Sequence, residues 1–422
     1  MPFGDWRARF KTPMNGRPLG LCLGFALVMA PAAKAQAEGE PWTADDAARR
    51  ALAALDAPAQ VAARLRVARA EVASITQLPT PSLAAMHEHV PSANAAGYLQ
   101  TSLSVRQTFD VAGWRQRRRA ALPHQERALQ AEGAEAQLQV ASATRTAFYD
   151  VRLRQERLRV FDAWLTRLQA GVAAVTARHK RGDAARFELR RVERERDVAR
   201  AQQAREQALL AQAWAQLLAL APAAQPPTLV GALVPPDPPV ALEAESATLP
   251  PRIDGLRHES AALEAEARTW GSPAWRGWAI EAGYRFAQVG QATGHGAVLS
   301  LSLPLGLWNA DGPEIERLRA ERARVDEALR RESARALRNR EASRARLVAA
   351  LASLGQIPAE ADDGDPSRLA EAAYRGGEAS LLELLDAYRS EAELALGRLD
   401  VQWEARRAAI DLDDARGQGV PR

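Results

Sequence analysis

The sequence predicts a mainly α-helical chain with a small β part, in which long helices alternate with short strand pairs and the plan occurs twice. Three observations carry this. Apolar residues recur every seven positions at Val151, Leu158, Leu165 and Val172, with Phe161, Leu168 and Val175 between them, which is a coiled-coil seam. The period falls to two at Leu99–Phe109 and again at Trp278–Leu303. Two landmarks then repeat at nearly one spacing: SLSV at 102–105 against SLSL at 300–303, and RGDAARFEL at 181–189 against GGEASLLEL at 376–384.

The elements follow in order. Residues 1–35 read as an export signal. Arg7, Arg9, Lys11 and Arg17 precede an apolar run from Leu19 to Met29, and Ala33-Lys34-Ala35 is the cleavage site; a retained anchor helix is the other reading of that run. Residues 43–77 read as one helix. SLAAMHEHV is a weak strand, HVPSANAAGY a turn-rich loop, and Leu99, Thr101, Leu103, Val105 and Phe109 form the apolar face of a second strand, giving a strand pair at about 82–109. Helix resumes near Trp114 and runs to about His179, a rod of roughly 95 Å, with Arg154 interrupting its seam. KRGDAARFELRR is a break, and helix continues to about Leu220, closing a first repeat over 36–220. A Pro-rich connector occupies 221–240.

The second repeat, 241–422, begins with helix to about 269. Trp278, Ile280, Ala282, Tyr284 and Phe286 point one way on the next strand. GQATGHG (290–296) reads as a loop, and Leu299, Leu301 and Leu303 alternate on a final strand, so the pair spans about 277–304. Helix follows from about Pro313 to Leu354. Asp365 and Pro366 suit a helix start, and the last helix ends near Asp414. The adjacent glycines Gly376 and Gly377 each cost a helix interior about 1 kcal/mol and so mark a turn.

Charge and chemistry exclude several classes. The leader holds five Lys/Arg and one Asp, so of 56 basic and 52 acidic residues 51 of each remain, and the net charge of +4 is no argument for nucleic acid. Cys22, the only cysteine, lies in the leader, which leaves no disulfide or thiolate metal site. Of the six histidines (His87, His89, His124, His179, His258, His295) only His87 and His89 are spaced as a pair, and no metal site is assigned. Arg115, Arg117, Arg118 and Arg119 form a local basic cluster, suited to lipid headgroups or a solvated face. ADDGD lacks calcium-loop spacing. No nucleophile–base set or phosphate loop appears, so neither an enzyme nor a cofactor is expected.

Four strands with one apolar, aromatic-bearing face suit either a lipid–water wall or a half-buried sheet. They cannot close alone, because an open edge in lipid leaves backbone groups unpaired and small barrels need about eight strands. A cyclic trimer would supply twelve.

LSLSLPLGLWNADGPEIERLRAERARVDEAL and AYRGGEASLLELLDAYRSEAELALGRLDVQWEARRAAIDLDDA resemble the final strand, return helix and C-terminal signature of the TolC family of trimeric outer-membrane efflux channels. SLSLPLGLWNADG and YRGGEASLLELLDA are most like its heavy-metal (cobalt–zinc–cadmium) branch. The resemblance spans the mature chain. It implies a TolC-like fold: long coiled-coil helices forming a periplasmic tunnel, plus four strands per chain in a trimeric 12-stranded β-barrel of a Gram-negative outer membrane. It also implies a passive exit duct of a tripartite efflux system, with a homotrimer, outer-membrane lipid, a periplasmic adaptor and an inner-membrane pump of the RND type or another as partners. Gly182, Asp183, Gly376, Gly377 and Glu378 then lie at adaptor-docking hairpin tips. Glu383 and Asp386, three residues apart and so adjacent on one face away from Leu381, Leu385 and Tyr388, match the channel constriction. Tyr374 matches a gate tyrosine and Glu188 the acid it bonds. Ala379 departs from a basic gate-linking residue of the family. The other readings are an exported periplasmic coiled-coil adaptor or scaffold without a pore, and a multidrug or type I secretion outlet of the same fold.

Overall fold

The computed structural model describes residues 41–91, 97–110, 113–235, 250–270, 277–303, 311–357 and 366–421. The export signal, the ADDGD segment, Asp365 and the proposed helix over 241–249 lie outside the described residues.

Helices dominate. α1 (Ala44–Ala54) starts in a capping box, with the Thr43 hydroxyl accepting from the Asp46 amide and the Asp46 carboxylate accepting from the Thr43 amide. The single helix expected over 43–77 is two: the chain breaks at Leu55–Asp56, and Pro58 falls in the first turn of α2 (Ala57–Thr76), where a missing N–H costs nothing. Likewise the rod expected from Trp114 is split into α3 (Trp114–Arg119) and α4 (Leu122–Arg181), with Pro123 in the first turn of α4. α4 is 60 residues long, about 90 Å.

α5 (Arg186–Leu220) returns along α4, and the seam is largely buried: Val151, Phe161, Leu165, Leu168 and Val175 are buried and Leu158 and Val172 half-buried, with Val192, Ala199, Ala213 and Leu217 buried from α5. Arg154 interrupts it for a reason. It bonds the buried Glu206 of α5 at 2.9 Å, and Arg157 stands 3.4 Å from the same carboxylate. A buried acid with two guanidinium partners is satisfied; truncating either arginine strands part of that charge.

The second half supplies α6 (Pro251–Thr269), α7 (Gly312–Gln356), α8 (Pro366–Gly376) and α9 (Leu381–Ala415). α9 packs on both α4 and α7. Among the described residues no helix is long and apolar enough to cross a membrane.

The strands form one antiparallel sheet in the order β1 (Ser82–Val90), β2 (Tyr98–Phe109), β3 (Trp278–Val289), β4 (Ala292–Ser302). The register gathers Leu83, Val105, Ala282 and Leu299 into one cross-strand row and Ala85, Leu103, Tyr284 and Ala297 into the next. The opposite face carries Arg106 beside Glu281 and Ser102 beside Arg285, and Ser104 donates to Glu281 at 2.6 Å. The expected loop over 290–296 is a correction. Only Gly290 and Gln291 turn; Ala292–Gly296 are paired strand, because hydrogen bonds to Arg285–Val289 hold the glycines extended.

Residues 221–235 of the connector are not a free tether. Trp42 donates to Thr228 and accepts from Val230, both at 2.8 Å, and Leu229 is buried with Trp42, Phe148 and Leu217. Arg406 of α9 donates to the carbonyls of Ala232, Leu233 and Val234 at 2.6–2.9 Å while its guanidinium sits 4.3 Å from the Tyr149 ring centre.

Candidate functional site

Both hairpin tips are built by one backbone device. At the end of α4 the Asp183 amide donates to Arg178 O and the Gly182 amide to His179 O; at the end of α8 the Glu378 amide donates to Ala373 O and the Gly377 amide to Tyr374 O. These are paired Schellman closures, which put the residue after the helix in left-handed backbone. Gly182 has φ +86° and Gly377 φ +82°, with open space where a Cβ would stand, so conformation alone demands glycine there. Gly376 is the last helical residue and carries no such demand. Asp183 and Glu378 are exposed beside these glycines.

After each turn the chain re-enters helix. Ser380 caps α9 with a capping box: its hydroxyl accepts from the Glu383 amide at 3.3 Å, and Glu383 accepts from the Ser380 amide at 2.7 Å. That amide bond, helped by the hydroxyl, holds the Glu383 carboxyl below its ordinary range. Leu381, Leu384, Leu385 and Tyr388 are buried against Leu168 and Val175 of α4 and Val192 of α5, and Glu383 and Asp386 are both exposed on the other face, adjacent as the helical spacing requires. Phe187, 71% exposed, and Leu382, 55% exposed, stand outside, each the second residue of its helix, and Leu369 of α8 is exposed as well.

Tyr374 is buried where the two hairpins meet. The Arg178 guanidinium lies 4.8 Å from its ring centre and donates to its carbonyl at 3.3 Å. Burial pushes the phenol up and the Glu188 charge adds to that, while Arg178 opposes it. The hydroxyl has no hydrogen-bond partner among the described residues, so the bond expected between Tyr374 and Glu188 is not formed in this chain. Other links join the hairpins instead. Arg389 of α9 pairs with Glu195 of α5, and Arg167 of α4 pairs with Glu391 of α9, whose carboxylate also accepts from Ser367 of α8. Sequence reasoning missed Arg178, Arg389 and Arg167, since arginine is abundant on every helix and its partners lie far away in sequence.

Of the other candidates, His87 and His89 share a face of β1, and His87 Nδ1 is 2.8 Å from the Thr101 hydroxyl across the pair. Arg118 of the basic cluster pairs with Glu266 at 2.9 Å. Among the described residues no group of three or more His, Cys, Asp or Glu side chains gathers as a metal cage.

No family model and no curated protein matches this sequence. Solved structures do. The outer-membrane channel OprN superposes with a TM-score of 0.69 at 15% identity, covering 90% of this chain and 91% of that one. The outer-membrane protein VceC of Vibrio cholerae gives 0.65 at 16% identity, with 90% and 97% covered. The open state of the Neisseria gonorrhoeae channel MtrE gives 0.63 at 18% identity, with 89% of each chain covered. The fold is TolC-like. The two Schellman turns lie together, since Ala184 and Tyr374 share one core, and the 60-residue α4 separates the first of them from β2.

Proposed function

We propose that this chain is one third of an outer-membrane exit duct of a Gram-negative bacterium, and not an enzyme. The observation that carries this is the open sheet. Its apolar face is left bare, with Leu83, Val105, Tyr284, Leu299 and Leu301 exposed, and its edge strands β1 and β4 have one neighbour each. An apolar sheet face with charged residues behind it suits lipid outside and water inside. Phe109 and Trp278 mark one end of that face and Phe286 the other, eight residues along β3. At about 3.4 Å per residue and about 40° of tilt, that is roughly 20 Å, close to an outer-membrane apolar band. Three copies pooling four strands each would remove every open edge.

The tips favour docking of a periplasmic adaptor. Phe187 and Leu382 sit bare close after the turn glycines, apolar anchors among the charged residues Arg181, Asp183, Arg186, Arg375 and Glu378. Glu383 and Asp386, exposed on one face of α9, would place six carboxylates around a threefold axis and favour cations. Energy would come from an inner-membrane pump of the RND type or another kind. For cargo we favour heavy-metal cations, on the resemblance of the two quoted motifs; a multidrug or type I outlet is the competing cargo class. The reading as a pore-less periplasmic adaptor fits less well, since two strand pairs merge here into one sheet between long helices.

Fractionation and electron microscopy test the proposal. A detergent-stable threefold tube in the outer-membrane fraction is expected; a soluble periplasmic monomer would overturn it. Sensitivity of a deletion strain to zinc, cobalt, cadmium and copper, set against hydrophobic drugs, decides the cargo.

A further inference from the structure

His124, in the first turn of α4, and His258, in α6, lie far apart in sequence and meet side by side. Their Nδ1 atoms are 3.5 Å apart, their ring centres 5.7 Å apart, and their planes inclined by 35°. The nitrogens are thus nearer than the rings, so the two Nδ1 atoms are turned toward one another. Two neutral imidazoles that both direct lone pairs into one gap repel, and a proton or a cation must occupy it. The spacing is long for a ring N–H donating to nitrogen, against a usual value of about 3.0 Å for N–H donors. It suits two nitrogens each about 2.0–2.1 Å from one ion in a tetrahedral set, which stand roughly 3.3–3.5 Å apart.

Two further features point the same way. Asp254, one turn before His258 on α6, has Oδ1 3.7 Å from the Nε2 of His258. That is beyond hydrogen-bond distance, but the carboxylate charge near Nε2 favours the N–H on that nitrogen and so leaves the Nδ1 lone pair facing the gap. The backbones are also fixed nearby. At Gly255 a Cβ would stand 3.3 Å from Ala131 Cβ and 3.7 Å from Ala128 O, so the antiparallel α4 and α6 are packed close one turn from the pair. Both histidines are half-buried, which leaves a side open to water.

We propose that His124 and His258 form a two-imidazole site for a late first-row divalent cation, with water filling its remaining positions and the Asp254 charge nearby favouring it. Neutral imidazole suits Zn²⁺, Cu²⁺ and Ni²⁺, and the affinity order places Cu²⁺ above Zn²⁺. The site stands whether or not the chain is an exit duct.

The test uses the full mature chain purified in detergent, with Cu²⁺ and Zn²⁺ as probes. Titration calorimetry should find one such ion per chain, bound more tightly for Cu²⁺, and the Cu²⁺ electron paramagnetic resonance spectrum should carry coupling to two imidazole nitrogens. His124→Gln and His258→Gln should each weaken binding at least tenfold, and Asp254→Asn by clearly less than either. A wild-type spectrum without two-nitrogen coupling overturns the site even where a variant folds poorly, and persistence of the coupling in His87→Gln/His89→Gln assigns it to the α4–α6 pair. A spectrum without two-nitrogen coupling, or equal binding by wild type and both glutamine variants, would overturn the site and leave an imidazole–imidazole hydrogen bond or the histidines of β1 as the explanation.

Discussion

In the first tip a helix of 60 residues runs unbroken into Gly182, whereas in the second an 11-residue helix, α8, leads into Gly377. The backbone of the two turns is the same and the side chains around it are not. Aligned on the glycines, Phe187 matches Leu382 and Glu188 matches Glu383, but Ala185 stands where Ser380 caps, Arg191 where Asp386 stands, and His179 where Tyr374 is buried. His179 instead sets its Nδ1 2.8 Å from Ala184 O, tying its own turn. The comparison separates two acids that the sequence presents as a pair. A glutamate at the third helical position occurs at both tips, and at the second it completes a capping box, which is a sufficient structural reason for it. Asp386 has no counterpart in the first tip and no hydrogen bond or ion pair among the described residues, although Arg389 feels its charge. No local contact accounts for it as the capping box accounts for Glu383.

Substitutions can break or sharpen that contrast. The largest effect is expected at the contact peculiar to the second tip. Tyr374→Ala should cost about 3–5 kcal/mol in urea unfolding, while Tyr374→Phe should cost less than about 0.5 kcal/mol because its hydroxyl has no partner among the described residues. A phenylalanine variant that loses well over that amount, or that opens the pore, would restore the Tyr374–Glu188 bond. Next come the shared glycines. Gly182→Val and Gly377→Val should each cost at least about 1–2 kcal/mol from left-handed strain, and Gly376→Ala should gain about 0.5–1 kcal/mol. Equal losses at 376 and 377 would contradict the closure described.

Smaller still is the cap. Ser380→Ala should cost about 1 kcal/mol, and Ala185→Ser, which creates a serine three residues before Glu188, should gain up to a similar amount. Because the Glu383 carboxyl is held below its usual 4.5, its capping contribution is complete above the ordinary carboxylate range and fades only as pH falls through the lowered value. Thermal melts of wild type and Glu383→Gln between pH 3 and 7 should therefore converge only toward the acid end. The smallest effect is on ion preference in planar bilayers. Asp386→Asn should lower cation preference by less than about 1 kcal/mol, more weakly at high salt, and Glu383→Gln keeps the cap while removing its charge. Reversal potentials unchanged in both would take these acids out of the constriction.

Much of this architecture was legible in the sequence, because seven-residue and two-residue periods report burial directly. What stayed hidden did so for physical reasons. Gly294 and Gly296 looked like loop, yet a neighbouring strand supplies the hydrogen bonds that make extended glycine stable. Pro58 and Pro123 marked helix starts, and the long apolar periodicity on either side masked them. Arg406 and the His124–His258 pair depend on which surfaces α4, α6 and α9 bring together, and no local spacing encodes that. At the tips the glycines are readable, and so is the Ser380–Glu383 spacing of a capping box, which gives Glu383 a local role beside the one the resemblance implies.

Only seven residues separate β1 from β2, and two separate β3 from β4. In the proposed orientation those two connections face the world outside the cell. Links this brief offer little protruding surface there, so any macromolecule that approached from that side would have to recognise the rim of the sheet itself.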